Sequence, residues 1–177
     1  MKSLHTLSIA IALLVNLSAC GSWNPFSKVD PKTAPAELQS ITTSMTVKSA
    51  WTVNVGTTGE YRFTPAMVGN NLFAASADGS VVKLNATNGQ VLWRVKADLP
   101  LTAGVGANEK AVVVGGEKGA LLAFDLQGKL RWRVQASSEI LTSPMVAGNF
   151  VIVHTIDNRI AAFDVETGAN RWTLERP

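Results

Sequence analysis

The run Leu121-Leu122-Ala123-Phe124-Asp125-Leu126-Gln127-Gly128-Lys129-Leu130-Arg131-Trp132-Arg133-Val134 holds two apolar segments separated by a short Asp-to-Gly corner. Short runs rich in Val, Leu, Phe and Trp, bounded by Gly, Asn or Asp, read as strands joined by a hairpin. The pattern recurs on both sides. Val81 to Asn85, Asn88-Gly89 and Val91-Leu92-Trp93-Arg94-Val95 precede it, and Ile160 to Asp164, Thr167-Gly168 and Asn170-Arg171-Trp172-Thr173-Leu174 follow. The tryptophans at 51, 93, 132 and 172 step by 42, 39 and 40 residues. Asp78-Gly79, Lys118-Gly119 and Asp157-Asn158 keep the same step, and Thr64-Pro65-Ala66-Met67-Val68-Gly69 matches Ser143 to Gly148, with Ala103-Gly104-Val105-Gly106 between them.

Each repeat contains four apolar runs of 4 to 7 residues, hence four short strands. A period of about 40 residues with four strands per unit is the mark of a β-propeller blade, because a single blade cannot bury both faces and must stack on neighbours around an axis. The fold expected is all-β, with blades at about 60–96, 99–135 and 138–175. A Trp in every repeat, on the outermost strand, is expected to pack between adjacent blades. Lys48 to Val55, around Trp51, matches an outermost strand with no inner three before it; we expect 47–55 to close a blade whose other strands come from the far end of a ring. Closed rings take roughly four to eight blades, so the sequence reads as an incomplete ring, and on its own it is expected to expose blade faces and aggregate.

The start of the chain has a different character. Met1-Lys2 leads into an apolar run from Leu7 to Leu17, 11 residues, too short for a bilayer-spanning helix of about 20. This is the form of a secretory signal over 1–19. Leu17-Ser18-Ala19-Cys20 resembles the bacterial lipobox, which implies cleavage after Ala19 and acylation of Cys20. Several acyl chains, at about 0.8 kcal/mol per buried methylene, hold firmly where one is marginal. Gly21, in place of the Asp that by resemblance retains such proteins on the inner membrane, implies the periplasmic face of the outer membrane. Residues 20–45, with Pro25, Pro31 and Pro35 among Ser, Thr and Lys, read as a tether.

Composition excludes several classes. The 177 residues are 46% hydrophobic and 16% charged, which suits a packed domain and not a disordered one. The net charge is +3 and the longest basic cluster is Arg131 and Arg133 about Trp132, so no nucleic-acid footprint is present. One cysteine makes neither an internal disulfide nor a four-thiolate zinc site.

The cores Phe124-Asp125 to Gly128 to Trp132 and Phe163-Asp164 to Thr167-Gly168 to Trp172 resemble the blade motif shared by pyrroloquinoline-quinone enzymes and their non-enzymatic relatives, over residues 46–177. With the lipobox, the chain is most similar to the lipoprotein-scaffold family of the outer-membrane β-barrel assembly machinery. That resemblance implies a non-catalytic propeller of about eight blades. It also implies binding to the periplasmic domains of the central barrel subunit and aid to unfolded outer-membrane clients. The family's Leu-x-x-Arg-Gly contact loop would fall just beyond Trp172 to Pro177, so no partner residue is carried over. The loops Lys96 to Thr102 and Gln135 to Thr142 join successive blades on one rim and are the contact candidates.

A quinoprotein dehydrogenase is the competing expectation, since such blades can hold a quinone and Ca²⁺. Calcium needs six to eight oxygen ligands converging on one spot. Asp78, Asp125, Asp157 and Asp164 instead repeat at hairpin positions, as turn-formers do. His154 is the only histidine beyond the leader and lies in Phe150 to His154, a strand position and not a general-base setting. No nucleophile elbow, phosphate loop or zinc-protease signature occurs. We therefore expect no catalytic residue, metal or cofactor.

Overall fold

The computed structural model describes residues 36–41 and 45–175. The expected leader and Cys20 lie outside them, as does most of the expected tether. The chain divides into two units at Thr46/Val47, and every strand among the described residues belongs to the second. Among the described residues there is no α-helix, and no helix is long and apolar enough to cross a membrane.

Twelve strands form three four-stranded antiparallel meanders. The first comprises β1 (Ala66–Val68), β2 (Asn71–Ala75), β3 (Ser80–Asn85) and β4 (Val91–Lys96). The second comprises β5 (Leu101–Ala107), β6 (Val112–Gly116), β7 (Ala120–Phe124) and β8 (Leu130–Gln135). The third comprises β9 (Met145–Ala147), β10 (Phe150–His154), β11 (Arg159–Asp164) and β12 (Asn170–Glu175). Strand order is sequential in each sheet, so every connection is a hairpin and each sheet is one blade. The all-β, propeller-type reading of the repeat is the fold observed.

Period-2 alternation gives each blade two apolar faces. Phe73, Ala75 and Val81 of the first blade pack with Val112, Val114, Leu122 and Phe124 of the second. Val113, Leu121, Ala123 and Trp132 on the other face of the second blade pack with Val151, Val153, Ala161 and Phe163 of the third. The core is thus two seams between blades, with no single central core. Near the axis the blades touch through their first strands: Val105 N–H donates to Thr64 O at 3.0 Å.

The sheet register slips at the same place in every blade, between Lys83 and Leu84, Ala123 and Phe124, and Ala162 and Phe163. The extra residue in each case immediately precedes the tryptophan. A bulge adds twist and re-aims the following side chain, which here is the indole.

Three details differ from the sequence reading. Residues 47–55 carry no strand ladder among the described residues, although Trp51 to Val55 keep the alternating half-buried, exposed pattern of one; no strand lies beside them to supply the pairing. β1 and β9 are only three residues long, shorter than the expected runs, because the chain straightens out of its pairing at Pro65 and Pro144. Finally, Leu101 and Thr102 are not loop residues: both are fully buried in β5, where Thr102 Oγ1 donates to Ile140 O at 2.7 Å.

Candidate protein-interaction surfaces

The geometry that sets the surface begins at the tryptophans. Trp93 Nε1 donates to Leu126 O at 3.0 Å and Trp132 Nε1 donates to Val165 O at 3.0 Å, each reaching the β3–β4-type hairpin of the following blade. The indole lies over a glycine of that hairpin: a Cβ on Gly128 would come 3.1 Å from Trp93, and one on Gly168 would come 2.8 Å from Trp132. Gly168 has φ +73, so a side chain would suffer both the indole and the left-handed backbone. The clamp is therefore Trp on Gly, with one carbonyl fixing the ring.

Residues 51–57 occupy the same kind of seat on the first blade. Trp51 Nε1 donates to Ala86 O at 3.1 Å, and its ring covers Gly89. Arg94 Nη1 and Nη2 reach back to Val55 O and Asn54 O at 2.9 and 2.8 Å, as Arg133 Nη2 reaches back to Ala97 O at 2.8 Å in the next seam. Ala77 N–H donates to Thr57 O at 2.8 Å, and Ser76 Oγ lies 3.2 Å from Val55 O. The reach of these two arginines to preceding carbonyls has no mark in the sequence, although both follow a repeat Trp directly. Lys83 was missed as well. It replaces the alanine found at this position in the other blades, lies 5.7 Å from the Phe73 ring centroid, and donates to Leu126 O at 3.2 Å.

The blade-to-blade connections share a rim with the β2–β3-type hairpins. In the connection from β4 to β5, Asp98 and Pro100 are exposed and Leu99 is half-buried. The connection from β8 to β9 is longer and better tethered, with Ser137 Oγ donating to Asp157 Oδ1 at 3.2 Å and Ile140 bridging Thr155. Tyr61 O–H donates to Glu139 Oε1 at 3.5 Å; partial desolvation, then Glu139, Glu117 and Glu60, push its hydroxyl above the ordinary tyrosine value. Leu141, Thr142, His154, Thr155 and Ile156 line a shallow depression of about 220 Å³ on this rim.

The acids expected as turn-formers do hold their hairpins. Asp125 Oδ1 accepts from Gln127 and Lys129 N–H, Asp164 Oδ1 from Glu166 and Thr167 N–H, and Asp78 Oδ1 from Ser80 N–H. Asp157 Oδ1 accepts the Thr155 hydroxyl. Among the described residues no three His, Cys, Asp or Glu side chains converge as a metal site.

The Arg171 guanidinium 2.7 Å from Asp164, followed by the Thr167 amide, holds that carboxyl well below the usual carboxylate range. The Ser76 hydroxyl and Lys96 do the same for Asp78. A carboxylate with a depressed folded pKa stabilises the fold above its unfolded value, near about 4, and loses that contribution as pH falls. Denaturant midpoints should therefore drop on acidification below about pH 4. Asp164→Asn should shrink the drop; an Asp164→Asn protein with the same pH profile as wild type would count against this anchor.

One face has no cover among the described residues. Cross-strand partners place Met145, Ile152, Ala162 and Trp172 on the side of the third blade away from the second. Trp172 is 45% exposed, where its counterpart Trp132 is 9% exposed, and Met145, Phe150 and Leu174 are also exposed. The outermost strands β4, β8 and β12 present unpaired edges. Arg94, Lys96, Arg131, Arg133, Arg171 and Glu175 interrupt them with charge, as edge strands commonly are.

Four-stranded meanders stacked by a Trp-on-Gly clamp define a β-propeller of the pyrroloquinoline-quinone-repeat type. Residues 77–177 match the family model of the outer membrane protein assembly factor BamB. The chain is 36% identical to the BamB of Bordetella pertussis over 96% of its own length and 43% of the relative's. It is 36% identical to that of Burkholderia pseudomallei over 94% and 42%. The crystal structure of BamB from Moraxella catarrhalis superposes with a TM-score of 0.59 at 29% identity, over 65% of this chain and 35% of that one. A quinohemoprotein alcohol dehydrogenase from Comamonas testosteroni gives a TM-score of 0.60 at 23% identity over 71% and 22%, a likeness of fold alone. The chain belongs to the BamB family and spans about two-fifths of the length of these curated relatives.

Proposed function

We propose that this chain is part of a non-catalytic scaffold lipoprotein of the outer-membrane β-barrel assembly machinery, which helps β-barrel proteins assemble and insert. The observation that carries this reading is the family match across residues 77–177, together with 36% identity that extends over nearly the whole chain. The clamped seams make a rigid body, and rigid bodies present loops well. The contact surface is the rim of connections, with Asp98 to Pro100 and Gln135 to Thr142 facing the central barrel subunit, and unpaired strand edges offer themselves to extended clients. The acids on the repeats are spent on their own hairpins, which speaks against the dehydrogenase reading. Cells lacking the gene should hold less assembled outer-membrane β-barrel protein; unchanged levels in such cells would contradict the role.

Cys20, freed by cleavage after Ala19, is proposed as the acyl anchor on the periplasmic face of the outer membrane. Cys20→Ser should leave the protein unprocessed and without acyl label. Metabolic labelling with a fatty-acid probe checks this, and normal label on the variant would remove the anchor from the account.

A further inference from the structure

Asn88-Gly89 is the only Asn-Gly pair in the chain. It sits at the corner of the β3–β4 hairpin, with Asn88 exposed and Gly89 buried at φ +72 beneath the Trp51 ring. Asn-Gly is the dipeptide in which a backbone amide most readily attacks the preceding side chain, because glycine adds no side chain to hinder the approach. We propose that Asn88-Gly89 is a self-modification site, at which deamidation through a succinimide is gated by the Trp51 clamp and in turn loosens it.

The chemistry needs only water. Gly89 N, once deprotonated, bonds to Asn88 Cγ and the side-chain nitrogen leaves as ammonia. Water then opens the five-membered ring at either carbonyl. The products are aspartate or isoaspartate, and the second carries one extra backbone methylene. Asn88 Oδ1 accepts from Gln90 N–H at 3.0 Å, which polarises the carbonyl under attack. Against reaction, Gly89 N–H donates to Asn85 O at 2.8 Å. The nucleophile is free only when the hairpin opens locally, so the rate follows the open population. Trp51, held by its ring over Gly89 and its bond to Ala86 O, opposes that opening.

Asp78-Gly79 makes the contrast. It also has a glycine with positive φ, +83, at a hairpin corner. Its carboxylate accepts from Ser76 Oγ at 2.6 Å, Ser80 N at 3.1 Å and Lys96 Nζ at 2.9 Å. An ionised, triply held carboxylate is a poor electrophile, so the same ring closure is blocked there. After reaction at Asn88, the isoaspartyl product lengthens the backbone by one methylene directly before Gly89 and adds a negative charge at the exposed corner, so Gly89 shifts beneath the Trp51 ring and residues 51–57 lose the surface that seats them.

The test is peptide mapping by mass spectrometry of the full chain aged in mildly alkaline buffer, beside the same protein denatured in urea. The folded protein should deamidate at Asn88 before any other asparagine, with an isoaspartyl product, and more slowly than the denatured control. Trp51→Ala should speed the folded-state reaction on the order of tenfold by raising the open population, and Trp51→Phe, which keeps a ring over Gly89, should fall between. Aged wild-type protein should show a red-shifted tryptophan emission that Asn88→Gln does not develop. Another asparagine reacting first, an Asn88 that stays intact while the denatured control reacts, or equal rates in wild type and both Trp51 variants would each overturn the proposal.

Discussion

Replacing Trp132 by alanine should remove about 3–5 kcal/mol of stability, the cost of truncating a large buried aromatic into a cavity. Its indole is 9% exposed and lies among Val151, Val153, Phe163 and Val165. Its Nε1 donates to Val165 O at 3.0 Å, so truncation also strands a buried carbonyl. Trp132→Phe keeps much of the apolar cover and gives up the hydrogen bond; it should cost roughly 1–2 kcal/mol. Trp172→Ala is the internal control, since that indole is 45% exposed; in the chain as described it should cost much less. Urea midpoints, converted with a common slope, measure all three. A Trp132→Ala protein within about 1 kcal/mol of wild type would mean that the blades are not held by the clamp.

Gly106→Ala should be nearly as damaging, for a reason that has nothing to do with unusual torsions. A Cβ at Gly106 would overlap the Pro144 carbonyl, and one at Gly104 would overlap the backbone of Thr64. Both glycines lie on β5, the first strand of the middle blade, where the chain entering each neighbouring blade passes at close range. Backbone cannot rotate aside as a side chain can, so the blades must separate. The expected cost lies at the upper end of about 1–3 kcal/mol for overpacking, or above it. Gly148→Ala, where nothing stands within 4 Å of the added carbon, isolates the torsional penalty alone at φ +57; it should cost about 1–2 kcal/mol. If Gly106→Ala proved milder than Gly148→Ala, the close approach of first strands near the axis would be wrong.

Much of the architecture was legible because a repeat announces itself. Trp93, Trp132 and the glycines four residues before each outer strand's indole recur with one step, and the physical need to bury both faces of a blade turns that step into a stacked propeller. The acids at Asp125 and Asp164 were legible as turn-formers because an Asx side chain satisfies the amides two to four residues on. Other features were hidden because they are relations between repeats. Nothing in Arg94 or Arg133 alone says that a guanidinium will reach the carbonyls at the end of the preceding outer strand. Gly104 and Gly106 look like ordinary strand glycines until Pro144 and Thr64 are brought against them. Thr102 looks like a loop residue in the sequence, since a polar residue between blades reads as exposed, whereas its hydroxyl donates to Ile140 O. The depression at Leu141 and Ile156 is a meeting of two loops and has no sequence mark.

The interaction surface is the least visible part from sequence, since rim residues carry no repeat constraint. Its position follows from topology: in a four-stranded meander the outgoing connection and the second hairpin must fall on one end of the blade. Ser138 and Leu141 on the long connection, and Pro100 on the short one, therefore face the same way as Ile156. The most direct test of the scaffold role is site-specific photocrosslinking in living cells from Pro100 and Leu141, with Thr87 on the opposite rim as the comparison. The account predicts crosslinks from Pro100 and Leu141 to the central barrel subunit of the assembly machinery, and none from Thr87. No crosslink to any assembly subunit from the connection rim, in cells where the protein is folded and abundant, would contradict it.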